Sequence, residues 1–199
     1  MNGITEQTSF ADSGTPIGFT MLDFWKYQFS NIYDLQDQIA EFLVGKALGL
    51  NEAQNRDGWT LYDMKYRNAC IEVKETGYYH SWQEKYADGK ISQQRSFGIH
   101  PAYSKYKNSS SDLARQNDIY VFCLNTGTTP EDSNPLELGN WEFYVIPTSV
   151  INSTCKPEQK TISLGRVRKM SRCLKYSELK SEIDSIISNM DKNISKLAM

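Results

Sequence analysis

From Ile119 to Leu124 the chain runs Ile-Tyr-Val-Phe-Cys-Leu behind Asp118, with no polar interruption. A strand without alternation has to be covered on both faces, because either face left to water would expose a row of large side chains. The chain therefore needs a central sheet with a packed layer on each side. Trp141 to Ile146 reads as a second strand, stopped by Pro147, and Thr161 to Leu164 as a short one. Leu179, Ile183, Ile186, Ile187, Met190, Ile194 and Leu197 recur at three- and four-residue steps, which predicts an amphipathic helix from about Ser177. Upstream, Ile32 to Leu50 reads as a helix, with Asn31 as its N-cap, Asp34 in the first turn and Gly49 near its end. Ile32, Leu35, Ile39, Phe42, Leu43 and Leu50 form one stripe. Ala40, Val44, Ala47 and Leu48 fill much of the opposite side, so this helix is expected to be wedged inside the domain.

With 199 residues, these elements make one domain rather than two. The polar, Ser/Thr/Gly-rich residues 1–18 are expected to be a flexible leader, with 19–199 as a single domain ending in the amphipathic helix. That leader has neither a basic flank nor an apolar centre, so it is not a signal peptide. No apolar run approaches membrane-spanning length, and a cytoplasmic protein without membrane contact is expected. Cys70, Cys123, Cys155 and Cys173 have no paired spacing, and His80 and His100 are the only histidines. No zinc signature can be assembled from them, and reduced thiols are expected. A net charge of −2 argues against nucleic-acid binding through bulk positive charge, though not against a local groove.

The chemistry lies between Trp59 and Thr76. Trp59 to Tyr66 and Ala69 to Thr76 read as a β-hairpin around Arg67-Asn68. Alternation places Ile71 and Val73 on one face of the second strand and Glu72 and Lys74 on the other. If Arg67-Asn68 is a two-residue turn, Tyr66 faces Ala69, Met64 faces Ile71 and Asp63 faces Glu72, with Cβ atoms about 5 Å apart. Two bare carboxylates so placed repel, and a cation between them removes the conflict. Hard oxygen donors suit Mg²⁺ or Mn²⁺ rather than zinc. Glu41, on the semi-buried side of the first helix, is a third acid that needs compensation. The bland alternative is a solvated Glu-x-Lys face with no chemistry.

The segment Asp63-Met-Lys-Tyr-Arg-Asn-Ala-Cys-Ile-Glu72-Val73-Lys74 resembles the second and third motifs of the PD-(D/E)xK nuclease superfamily. Glu41, in Gln38-Ile-Ala-Glu41-Phe-Leu-Val, matches the acid that family often carries on the preceding helix. The resemblance extends, in an uncharacterised bacterial group, to Trp82-Gln83, Arg115-Gln-Asn-Asp118-Ile-Tyr-Val-Phe and Trp141-Glu-Phe-Tyr-Val. It implies a restriction-endonuclease-like α/β fold, a mixed central sheet flanked by helices. It implies a Mg²⁺-dependent endodeoxyribonuclease of restriction, defence or repair type, with nucleic acid, DNA above all, as partner. Asp63, Glu72 and the Val73 carbonyl would be metal ligands, Lys74 the catalytic lysine and Glu41 an auxiliary acid. The literal Pro-Asp pair of the family is absent, and Asp57 is a rival to Asp63. The alternative is an inactive nucleic-acid-binding or regulatory protein on the same fold.

Gln83 and Arg115 are expected to touch substrate phosphate, Arg115 alternatively to cap its strand. Tyr78, Tyr79 and Trp82 suit base stacking or the core. Arg166, Arg168, Lys169 and Arg172 read either as a groove lining or as a solvated basic edge strand. The length of the C-terminal helix leaves a homodimer open.

Overall fold

The structure, a computed structural model, describes residues 4–50, 62–79, 95–103 and 113–197. Its centre is a four-stranded mixed sheet of β3 (Met64–Tyr66), β4 (Ala69–Gly77), β8 (Ile119–Asn125) and β9 (Trp141–Pro147), in that order. β4 and β8 run parallel, with Ile71 beside Ile119 and Gly77 beside Asn125, and the outer pairs are antiparallel. All seven residues of β8 are buried, as an uninterrupted apolar run demands. Asp118 secures its start: its carboxylate accepts from the Cys70 amide and its own amide donates to the Cys70 carbonyl, both at 2.8 Å.

Strand periodicity divides the core in two. Ile71, Val73, Ile119, Val121, Cys123, Phe143 and Val145 meet Ala40 and Val44 of α2 (Gln36–Ala47), Leu48 just after it, and Leu179, Ile183 and Ile187 of α5 (Leu179–Leu197). The apolar stripe of the C-terminal helix is thus spent on its own sheet. On the opposite face Tyr120, Phe122, Leu124, Tyr144 and Ile146 pack against Phe97 and Ile99. That layer is completed by Ile151 of α3 (Thr148–Thr154), Ile162 of β10 (Thr161–Ser163), and Leu164 and Val167 of α4 (Leu164–Met170). Phe97 lies on β5 (Ser96–Gly98), which pairs with β10. β6 (Ala102–Tyr103) and β7 (Leu113–Ala114) form a small separate pair. Among the described residues no helix is long and apolar enough to cross a membrane.

Two expectations change. The helix from Ile32 begins as a 3-10 turn, Ile32–Leu35, with the Asn31 side chain accepting from the Tyr33 amide at 3.2 Å. α2 then runs to Ala47, and Gly49 at φ +72° ends it. Its small residues Ala40 and Val44 face the sheet because they let the helix approach closely, while Phe42 stays 53% exposed. The helix is therefore covered on one side only.

The second change is at the N-terminus. Where a flexible leader is expected, β1 (Ser9–Asp12) and β2 (Thr15–Thr20) form a hairpin. Ser13 and Gly14 both have positive φ, 46° and 85°, the geometry of a tight two-residue turn matched to strand twist. α1 (Met21–Gln28) follows, and the Asp23 carboxylate accepts from both the amide and the hydroxyl of Thr20.

Candidate metal centre

The hairpin of β3 and β4 pairs Tyr66 with Ala69 and Met64 with Ile71, the register that a two-residue turn at Arg67-Asn68 imposes. Arg67 takes φ +53° there. The turn is held to α5 by an Arg67–Asp184 ion pair at 3.2 Å and by the Asn68 amide donating to Asp191 at 2.8 Å.

Regular pairing ends at Met64. The Asp63 amide donates to the Ile71 carbonyl at 3.1 Å, one residue short of Glu72, and its carboxylate accepts from the Val73 amide at 2.7 Å. Asp63 is thus not the simple cross-strand partner that the register alone implies. Its side chain occupies the place in the ladder that a backbone carbonyl would otherwise hold. A strand residue sends its N–H and C=O out of the same edge, so the Val73 carbonyl leaves β4 on the side where Asp63 stands.

Glu72 and Lys74 lie on the face away from α2 and form an ion pair with each other. Burial pushes the Asp63 carboxyl up, against the Val73 amide and Lys74, which favour its charge. Burial also raises Glu72, the negative charge of Asp63 raises it further, and Lys74 only partly offsets them. For Lys74, burial disfavours the charge, but Glu72, Asp63 and Glu41 outweigh it and hold the amine above its ordinary value. Glu41 and Asp63 line a common cleft of about 700 Å³, between α2, the end of α1 and the approach to β3. Glu72 thus touches the Lys74 amine directly, and the charges of Asp63 and Glu41 also act on it.

Among the described residues no group of three His, Cys, Asp or Glu side chains stands ready to hold an ion. The donors at hand are two carboxylates and a carbonyl. That set fits Mg²⁺ or Mn²⁺, since Mg²⁺ keeps several waters and is bound through one or two carboxylates. It does not fit zinc, which takes nitrogen and sulfur donors in a closed tetrahedron.

Other sequence expectations fall elsewhere. Gln83, Trp82, His80 and Asp57 lie outside the described residues. Arg115 is buried, and its guanidinium donates to the Ile99, Lys156 and Gln159 carbonyls and to Asn152. With four of its five donors so engaged, it clamps the loop after α3 and does not fit the expected phosphate contact. Tyr79 is buried edge-on to Tyr33, at 5.6 Å between centroids, in a core role. The basic cluster is helical, not an edge strand, because Ser163 caps α4 by accepting from the Arg166 amide. Arg166 donates to the Thr154 carbonyl, Arg168 pairs with Glu142, and Arg172 with Glu178 and Glu182.

Glu75 and Gln36 are absent from the sequence reading. Glu75 follows Lys74 but lies on the α2 face, where burial and the charge of Asp37 push it up to about 8. Gln36, the first residue of α2, is also buried, close over Gly77. One oxygen of each side chain is buried without a hydrogen-bond partner. Period-two alternation from Ile71 and Val73 was the signal that could have placed Glu75 inside.

Compared with known proteins, the chain matches no family model, no curated protein and no solved structure.

Proposed function

We propose that the chain is a Mg²⁺- or Mn²⁺-dependent nuclease of restriction-endonuclease-like fold that hydrolyses phosphodiester bonds, in DNA before RNA. The observation that carries this reading is local. The Asp63 carboxylate is anchored on the Val73 amide beside the Glu72–Lys74 pair, and burial holds both acids above their ordinary values, with the charge of Asp63 adding to the rise at Glu72. The order of elements supports it: a helix bearing Glu41, a hairpin bearing Asp63 and Glu72-Val73-Lys74, then a buried strand parallel to β4.

Asp63, Glu72 and the Val73 carbonyl would hold the ion, with Glu41 joining through its water shell. When bound, the ion polarises the scissile phosphate and lowers the pKa of a water. Lys74 stays protonated among its acids and offers its charge to the phosphate oxygens as negative charge builds on them. Glu72 fixes where that ammonium points, and the Val73 amide keeps Asp63 from swinging away.

The test is cleavage of plasmid and single-stranded DNA with Mg²⁺ or Mn²⁺. Loss of cleavage in Glu72→Gln, with melting unchanged, supports the enzyme. Binding of DNA without cleavage by the unaltered chain would instead favour a regulatory protein on the same fold.

A further inference from the structure

The cleft beside Asp63 says which form of nucleic acid the site takes, given the nuclease reading on which this inference rests. At about 700 Å³ it falls within the range of cavities that hold nucleotide-sized ligands. One wall is the outer side of α2, where Leu35, Ile39, Phe42 and Lys46 follow at four-, three- and four-residue steps and so stand in a row. Phe29, after α1, and Leu136 also line it. Phe29 and Phe42 are each 53% exposed and Leu136 66% exposed. The fold thus leaves large apolar side chains uncovered where Asp63 and Glu41 also reach the cavity. The Lys46 ammonium lies 5.3 Å from the centroid of the Phe42 ring.

A duplex hides its base faces and presents phosphates, so a protein grips it with many cations. Among the described residues this cleft is lined by one lysine, the chain is net negative, and Arg168 and Arg172 are engaged in ion pairs elsewhere. An unpaired strand offers the opposite: bases whose faces stack on aromatic rings, joined by a backbone that one cation can meet. We infer that the cleft binds single-stranded nucleic acid. A splayed base lies against Phe42 and Phe29, Lys46 meets a backbone phosphate, and an adjoining phosphodiester reaches Asp63, which lines the same cleft.

The experiment is fluorescence anisotropy with a labelled oligothymidylate, alone and annealed to oligoadenylate, in EDTA so that nothing is cut. The single strand is expected to bind more tightly than the duplex. Phe42→Ala weakens single-strand binding about ten-fold with an unchanged melting temperature, and Phe42→Trp restores it. Equal affinity for both forms overturns the inference. So does an unaltered single-strand affinity in Phe42→Ala, or an apolar dye held in the cleft that oligothymidylate does not displace. Cleavage assays on Glu72→Gln test the nuclease reading separately. A single-strand preference that depends on Phe42 supports the binding site even if no DNA is cut. Cleavage that depends on Glu72 while Phe42 is irrelevant removes the inference alone.

Discussion

Two carboxylate clusters sit on the same sheet with opposite charge balance. On β9, Glu142 accepts from the Tyr144 hydroxyl at 2.5 Å and from Arg168 at 2.8 Å, and Arg168 also donates to the Tyr144 oxygen at 2.9 Å. Burial pushes Glu142 up, but the Tyr144 and Arg168 hydrogen bonds prevail and hold it below its ordinary value. At the edge of β4, Asp63 and Glu72 are both held above theirs, and Lys74 serves Glu72, Asp63 and Glu41 together. The first cluster is complete as folded. In the second, burial outweighs the one lysine among the described residues there, a condition that costs stability and that an added cation relieves. Two features that look alike in sequence, an acid on a strand near a base, thus separate by whether the surroundings neutralise them.

The sharpest way to break this contrast is to neutralise one acid in each cluster. Glu72→Gln is expected to lower DNA cleavage about 10²–10³-fold, while Glu142→Gln leaves the rate within error. Equal effects on cleavage would erase the distinction. The next effect is thermodynamic. Mn²⁺ at about a hundred times its dissociation constant stabilises the native chain by about 2.7 kcal/mol. Calorimetry should show the upward shift in melting, and Asp63→Asn should abolish it while Glu142→Gln does not.

Glu75 sharpens the comparison from the other face of β4. Its carboxyl rises from an ordinary 4.5 to about 8, through burial first and Asp37 second. Because the native value is the higher one, the protonated form is favoured by folding. The stability it contributes is present in full below 4.5 and drains away until about pH 8, beyond which the loss is complete. Glu75→Gln should therefore stabilise the protein by up to about 5 kcal/mol at pH 9 and by almost nothing at pH 4. Urea titrations at the two pH values decide it, and a gain that does not vary with pH would contradict the buried neutral acid. The smallest effect belongs to the closed triad. Arg168→Ala should cost about 1 kcal/mol, since that pair is partly exposed and screened by solvent.

The parts of the fold legible in the sequence are those whose signal is local and periodic. The β8 run, the α5 stripe and the Arg67-Asn68 register each depend on neighbours a few residues apart, and each lies where periodicity puts it. The α2 reading failed because both of its sides are apolar, and only packing shows that Ala40 and Val44, not Phe42, meet the sheet. The N-terminal hairpin escaped because its two-residue turn is Ser-Gly, a weaker marker than Asn-Gly, and its strands bury nothing. At the site, alternation placed Glu72 and Lys74, but the bond from the Val73 amide to Asp63 depends on where β3 stops, which no pattern records. Arg115 misled because a long cation reads the same whether it ends on phosphate or on three carbonyls.

The parallel pairing of β4 with β8 has a consequence in time. Cys70 is joined to Asp118 across 48 residues, and α5, which begins only at Leu179, completes the layer that α2 starts on one face of the sheet. Contacts that distant form late, because the intervening loop must close first. Until β8 has left the ribosome, Glu72 and Lys74 have no neighbouring strand to lie against. The proposed metal centre therefore cannot assemble on a nascent chain before β8 is free to pair with β4.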